Sequence, residues 1–322
     1  MEILKLLPVG KETLWGGTRL KKEYGKDFPM DKLGETWECS VHPDGMSLVA
    51  NGQYRNQTLG SVLQQHPEYL GSKIPGGKDF PILVKFIDAN QDLSVQVHPD
   101  DEYAQQHGLP NGKTEMWYIM DAVPDAEIIY GFEHQVDKEK LAQAVVAGNL
   151  DKHLHKVKVQ KGESYFVPAG TVHGIGAGVL VAEIQQSSNE TYRVYDYNRQ
   201  DAQGHTRELH FDKAVATLDM SPISRNSHSQ RLVKYYPNCS REILCACEYF
   251  VTEKIVTKYG FSFPMLTTSF QVVLCLEGEG TLEINTEDFK PVPFNKGDCL
   301  FIPAGKGKCC LFGAATLLKI RC

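Results

Sequence analysis

Four side chains between residues 96 and 173 have the types and spacing to bind one metal ion. Gln96 and His98 stand two apart in Ser94-Val95-Gln96-Val97-His98, so on a strand both point to the same face. Glu115 opens a second apolar run, Glu115-Met116-Trp117-Tyr118-Ile119-Met120. His173 ends the segment of residues 162–173: Gly162 opens a turn, Pro168 and Gly170 shape the next one, and a strand restarting at Thr171 aims the imidazole inward. Two imidazoles, one carboxylate and one amide oxygen are borderline-to-hard donors, suited to Zn2+ and compatible with Mn2+ or Fe2+. The set holds no thiolate, which argues against a structural zinc site. An isolated histidine on an alternating strand is more often a packed, hydrogen-bonded residue than a ligand, so the case for metal rests on the whole set.

Residues 162–173 match the frame G-x5-P-x-G-x2-H, the second motif of the cupin proteins. That resemblance implies four strands of a small barrel directing Gln96, His98, Glu115 and His173 at one ion. The frame recurs in Gly297-Asp298-Cys299-Leu300-Phe301-Ile302-Pro303-Ala304-Gly305-Lys306-Gly307-Lys308, with a lysine where the first copy has histidine. Upstream of it, residues 270–284 read as a hairpin that begins a second barrel, without an H-x-H pair. The expected architecture is mainly β: two cupin-type jelly-roll barrels with a few short helices. Residues 1–235 would form the catalytic domain with helical additions. Residues 236–322 would form a degenerate domain without metal, serving packing and support.

The elements that must position these residues are legible in part. Thr58 can cap a helix over 59–65 with Leu59, Val62 and Leu63 as its apolar stripe. Strand signals cover 81–87 and 93–97. A second helix starts at Asp137, buries Leu141 and Val145, and stops at Gly148. A third spans 211–218.

The 322 residues, 42% hydrophobic and 23% charged, suit a globular chain with ample core. A net charge of -6 argues against bulk nucleic-acid binding but allows a local cationic pocket for a phosphorylated metabolite. The nine cysteines, an odd number without a C-x2-C pair, read as free thiols in a reducing compartment. The N-terminal apolar run is too short for a signal peptide and no later segment could span a bilayer, so a cytoplasmic protein is expected. His42, His66, His107, His134, His153, His155, His205, His210 and His228 read as surface or capping residues. Oligomeric state is not legible, since no heptad or single exposed apolar face stands out.

Further motifs extend the resemblance. They are Trp15-Gly16-Gly17, Gly34-Glu35-Thr36-Trp37, Leu93-Ser94-Val95-Gln96-Val97-His98-Pro99-Asp100, Gly112-Lys113-Thr114-Glu115-Met116-Trp117 and Asn189-Glu190-Thr191-Tyr192-Arg193-Val194-Tyr195-Asp196-Tyr197. Together they cover most of the N-terminal two thirds, in order, and the chain resembles the type I mannose-6-phosphate isomerases in their short bacterial form. The resemblance implies one Zn2+ per chain on Gln96, His98, Glu115 and His173. It makes Arg193 the active-site arginine, Lys113 the lysine two positions before the glutamate ligand, and Glu183 an active-site glutamate. Lys85 and Ser94 fall where the family has phosphate contacts, and Trp15 where it binds substrate. The partner implied is a small phosphorylated sugar, with neither nucleic acid nor membrane. The short form lacks the long helical insertion of larger relatives, so contacts borne on it do not transfer.

Interconverting mannose 6-phosphate and fructose 6-phosphate requires ring opening, removal of a proton from C2 and its return at C1 through a cis-enediol. A base and a positive charge near the developing oxyanion are both needed. Arg193 suits either the enediolate or the phosphate, with an ion pair to Asp196 or Glu190 as its structural alternative. Glu183 and Lys113 both qualify as the base, Glu183 slightly favoured. Zinc can act as a Lewis acid or as an organiser of strands and substrate. Two rival readings differ in class. An Fe(II) oxygenase would keep three open positions, one of which Gln96 would fill. A non-catalytic sugar-phosphate binding cupin or sensor would usually have lost a ligand or base.

Overall fold

The computed structural model describes residues 1–74, 80–201, 203–223, 232–285 and 290–322. His228 lies outside them. As expected, the chain is mainly β, with antiparallel sheets and five short α-helices among the described residues.

Two sheets build the N-terminal part. The first orders its strands Ser164–Val167, Glu115–Ala122, Val179–Gln186, Ile82–Ala89, Val9–Gly17, Leu33–Cys39. The second orders Tyr192–Tyr195, Val95–Val97, His173–Ile175, Glu127–Phe132, Leu154–Lys158. Trp117, Ile119, Ile87 and Val181 of the first sheet share a core with Ile128, Tyr130 and Ile175 of the second. Every residue of Ile82–Ala89 and Val179–Gln186 is buried, because these central strands are covered on both faces.

Register gathers the expected residues. In one sheet Arg193 stands opposite Gln96, Gln96 opposite His173, and His173 opposite Tyr130. In the other, Lys85 stands opposite Glu183 and Glu183 opposite Trp117. Residues up to about a hundred positions apart thus become neighbours across single ladder steps.

The helices follow their end signals. Thr58 caps Leu59–Gln65 through its hydroxyl, which accepts from the Ser61 amide at 3.1 Å. Asp137 caps Lys138–Val146 by accepting from the Lys140 amide at 2.8 Å. Its buried residues are Leu141 and Ala144, with the expected Val145 only partly covered. The helix meets the core along its i, i+3 row, where the small alanine allows close approach. The third helix spans Phe211–Thr217.

The C-terminal sheet corrects one expectation. Residues 270–284 do not form a hairpin: Gln271–Ile284 is one continuous 14-residue strand, paired along its length with Lys308–Arg321. The Gly278-Glu279-Gly280 run carries the turn signature yet passes through as an irregularity near a register shift between Cys275 and Glu277. Gly278 has φ 84°, and a Cβ there would run into the Ala314 carbonyl oxygen. The glycine therefore marks close approach of the partner strand rather than chain reversal. The second copy of the motif supplies the strand Cys299–Ile302 and ends at an exposed Lys308.

The N-terminal strand Leu4–Leu7 joins this same sheet, Leu4 standing opposite Phe301. The core cluster beneath it combines Phe86, Met116 and Ile184 with Phe270, Phe301 and Leu318. The Phe270 ring lies 4.8 Å from Phe80 and 5.3 Å from Phe301, centroid to centroid. All nine cysteines are free thiols, and among the described residues no helix is long and apolar enough to cross a membrane.

Candidate active site

His98, Glu115 and His173 converge, one ligand atom of each lying within 4.8 Å of the others. His173 Nδ1 is 2.8 Å from the Thr171 carbonyl oxygen, which can only accept, so Nδ1 carries the proton. Its Nε2 lone pair then faces His98 Nε2 at 3.1 Å. Glu115 reaches both rings, Oε2 at 3.4 Å from His98 Nε2 and Oε1 at 3.5 Å from His173 Nε2. The turn before His173 is clipped onto the strand end bearing His98: Gly170, at φ 86°, donates its amide to the His98 carbonyl at 2.9 Å.

Electrostatics favour a cation at this point. Both Glu115 oxygens are buried and accept no hydrogen bond, and the ion pair with Lys113 reaches only Oε2, so a cation held here would offset a desolvation cost. Burial holds the His98 imidazole well below its ordinary pKa, with the Lys113 charge adding to the effect. Burial likewise brings His173 down to about 4, against the bond to Thr171 and helped by Lys113. Both rings are neutral near pH 7, the form that ligates. The residues present therefore fit a divalent ion. Lys113 stands at the edge of the cluster, Nζ 2.8 Å from His98 Nε2 and 3.3 Å from Glu115 Oε2.

The cluster adjoins a pocket of about 320 Å³. Trp15, Lys85, Ser94, Gln96, Lys113, Glu183 and Arg193 all line it, so the structure brings every expected substrate and catalytic residue to one cavity. Gln96 is half-buried beside His173 in the sheet, and its Oε1 accepts from Ser94 Oγ at 3.4 Å. Trp15 is held by its carbonyl, which accepts from the Asn90 and Gln91 amides at 3.0 and 3.1 Å.

One end of the pocket is a buried charge alternation. Glu183 Oε2 accepts from Trp117 Nε1 at 3.0 Å, and Oε1 lies 3.3 Å from Lys85 Nζ. Lys85 also lies 3.6 Å from Glu35, whose Oε2 accepts from Trp37 Nε1 at 2.8 Å. Burial, reinforced by the Glu115 charge, raises the Glu183 carboxyl above the usual carboxylate range despite Lys85 and Lys113. For Lys85, burial favours the neutral amine, but Glu35, Glu183 and Glu115 outweigh it and keep the ammonium.

Arg193 and Arg207 also line the pocket. Arg193 Nε is buried without a hydrogen-bond partner, and among the described residues its side chain makes no ion pair. Asp196, its alternative partner on sequence grounds, is taken instead by Arg207, at 2.8 Å from Nε and 2.6 Å from Nη2, and by Arg199 at 2.9 Å. His210 sits at a helix end, as expected, and also reaches the pocket. It precedes Phe211–Thr217 but its side chain caps no amide; Nδ1 accepts from the Arg193 amide at 3.3 Å, and the ring lines the pocket. Pairing of this helix start with the Arg193 strand, through His210 N to the Arg193 carbonyl at 2.8 Å, turns the ring inward. His66 and His107 do sit at helix ends, and His134 and His205 are exposed.

Glu35, Arg207 and His210 are pocket residues that sequence reasoning did not assign. Glu35 lay inside the Gly34-Glu35-Thr36-Trp37 motif, which was a usable signal. Arg207 carried none, being one loop arginine among several.

Fold and site together define a metal-capable β protein whose polar pocket gathers Lys85, Lys113, Arg193 and Arg207 with Glu35, Glu183 and Glu190. The chain belongs to the type I phosphomannose isomerase family. Residues 3–131 match the family model for the phosphomannose isomerase type I catalytic domain. The chain is 40% identical over 320 residues to mannose-6-phosphate isomerase ManA of Bacillus subtilis, covering 98% of each chain. It is 38% identical over 290 residues to the mannose-6-phosphate isomerase of Streptococcus mutans, covering 90% of this chain and 89% of that one. The crystal structure of a Bacillus subtilis mannose 6-phosphate isomerase superposes with a TM-score of 0.91 at 36% identity, covering 99% of both chains.

Proposed function

We propose that the protein is a mannose-6-phosphate isomerase that holds one Zn2+ per chain and interconverts mannose 6-phosphate and fructose 6-phosphate through a cis-enediol. The observation that carries this reading is the buried His98–Glu115–His173 cluster, whose Glu115 oxygens accept no hydrogen bond, beside a pocket lined by the buried Glu183 and by Arg193 with its unbonded Nε. His98, Glu115 and His173 would hold the ion with Gln96 as fourth donor. Bound there, it supplies positive charge that polarises sugar oxygens.

Glu183 is the base that moves the proton between C2 and C1. Its raised affinity for protons suits a group that must both take and return one. Trp117 and Lys85 orient its two oxygens. Lys113 donates to the sugar oxygens beside the cluster. Arg193, with its free Nε, meets the enediolate or the phosphate, and Ser94 and Arg207 add contacts to the anion. Lys85, engaged by two carboxylates, serves mainly to keep Glu183 in place, and Trp15 walls the sugar. Residues 1–235 carry catalysis. Residues 236–322 bind no metal and support them. The nine free thiols support a reducing, cytoplasmic setting.

The test is a mannose 6-phosphate isomerase assay coupled through fructose 6-phosphate, on metal-stripped protein before and after Zn2+, with His173→Ala as control. Turnover should return with zinc in the wild type and not in His173→Ala. No turnover in fully loaded protein would overturn the isomerase reading, and retained phosphosugar binding would then favour a binding module.

A further inference from the structure

The C-terminal strands touch the segment that carries Lys113. Between the strands Cys239–Ala246 and Val251–Thr257, a turn closed by the Cys247 amide on the Phe250 carbonyl at 3.0 Å presents Tyr249. The Tyr249 hydroxyl donates to Asp101 Oδ2 at 2.7 Å. The other oxygen of Asp101 accepts from the Gly112 amide at 2.8 Å and from Gln186 Nε2 at 2.9 Å. Gln186 turns its Oε1 to the Thr114 amide at 2.8 Å. The Lys113 amide, between them, donates to the Pro99 carbonyl at 2.8 Å.

Three consecutive amides, Gly112 to Thr114, are therefore tied down outside any strand, two of them through Asp101 and Gln186. The Asp101 carboxyl is held below its ordinary range, by the Tyr249, Gly112 and Gln186 bonds against burial, so these contacts are charge-assisted. The side chain projecting from this fastened segment is Lys113.

We infer that Tyr249 is a positioning residue for Lys113, acting through Asp101, and that residues 236–322 thereby take part in the geometry of the site rather than only packing against it. The inference rests on the reading of Lys113 as an active-site group. A long flexible lysine keeps its ammonium in one place only if its backbone is fixed, and small misplacement of a catalytic group is costly in rate.

The experiment uses full-length, zinc-loaded protein. In Tyr249→Phe, which loses one hydroxyl, kcat for mannose 6-phosphate should fall about threefold to tenfold with KM within about twofold. Hydrogen exchange of the Gly112, Lys113 and Thr114 amides should accelerate, while the Glu115–Ala122 strand and the melting temperature stay as in the wild type. Asp101→Asn, which keeps an acceptor for Gly112, should retain more activity than Asp101→Ala. In a Lys113→Met background, Tyr249→Phe should leave the residual turnover unchanged. Unaltered exchange at residues 112–114, or the same fold loss in both backgrounds, would overturn the inference. Full activity of Lys113→Met would instead show that the reading of Lys113 itself fails.

Discussion

Glu183 is a carboxylate held between an indole N–H and an ammonium inside a sheet, with Glu115 close enough to repel its charge. Burial and that repulsion raise its pKa, so it takes up a proton as pH falls through a value above the ordinary carboxylate range. In its proposed role as base Glu183 must be ionised to act, which fixes the sign: kcat/KM should be full above that value and lost below it. Glu183→Gln should lower kcat by about 10²- to 10⁴-fold, leaving the far-UV spectrum unchanged. Near-wild-type turnover in Glu183→Gln would transfer the base to Lys113. Arg193 makes the complementary point. Its guanidinium is poised because Asp196 is occupied by two other arginines.

At the scale of elements, strand pairing does what no local pattern announces. Gln271–Ile284 stays one strand through a glycine-rich stretch because the facing backbone of Lys308–Arg321 approaches too closely there for a side chain. Gly278→Ala combines a φ of 84° with a clash against Ala314, and it should cost about 1–3 kcal/mol. The denaturant midpoint would report this, while turnover per folded, loaded molecule should not change. A midpoint equal to the wild type would mean that the strand irregularity relaxes to admit a methyl group. The helices behave differently: Thr58 and Asp137 cap their own first turns, so their starts are local properties.

For the whole molecule, one core joins the two halves. Phe80 comes from the N-terminal part and Phe270 and Phe301 from the C-terminal part, and Leu4–Leu7 from the N-terminal part joins the C-terminal sheet. Phe270 is fully buried, so Phe270→Ala should remove about 3–5 kcal/mol and lower the stability of the molecule as a unit. Calorimetry should show a single transition shifted downward. Two separated transitions in the variant would mean that the halves are held by weaker contacts than this core implies.

Residue types, strand alternation and turn chemistry by themselves determined the capped helices and the mainly β character, because each is written in a short stretch of chain, whereas only the fold brings His98, Glu115 and His173 from three separate stretches to within 4.8 Å. The motif around His173 was readable for that reason, and so was its degenerate copy ending at Lys308. The course of residues 270–284, the place of His210 in the pocket wall, and the contacts of Glu35, Arg207 and Tyr249 depended on partners far along the chain. Only tertiary structure decided these. A register choice brings Arg193 beside Gln96 and Glu183 beside Lys85, and hydrogen bonds such as Tyr249 to Asp101 form between segments with no local reason to meet. Local sequence sets what a side chain can do; the long-range pairing of backbones sets which other side chains it does it with.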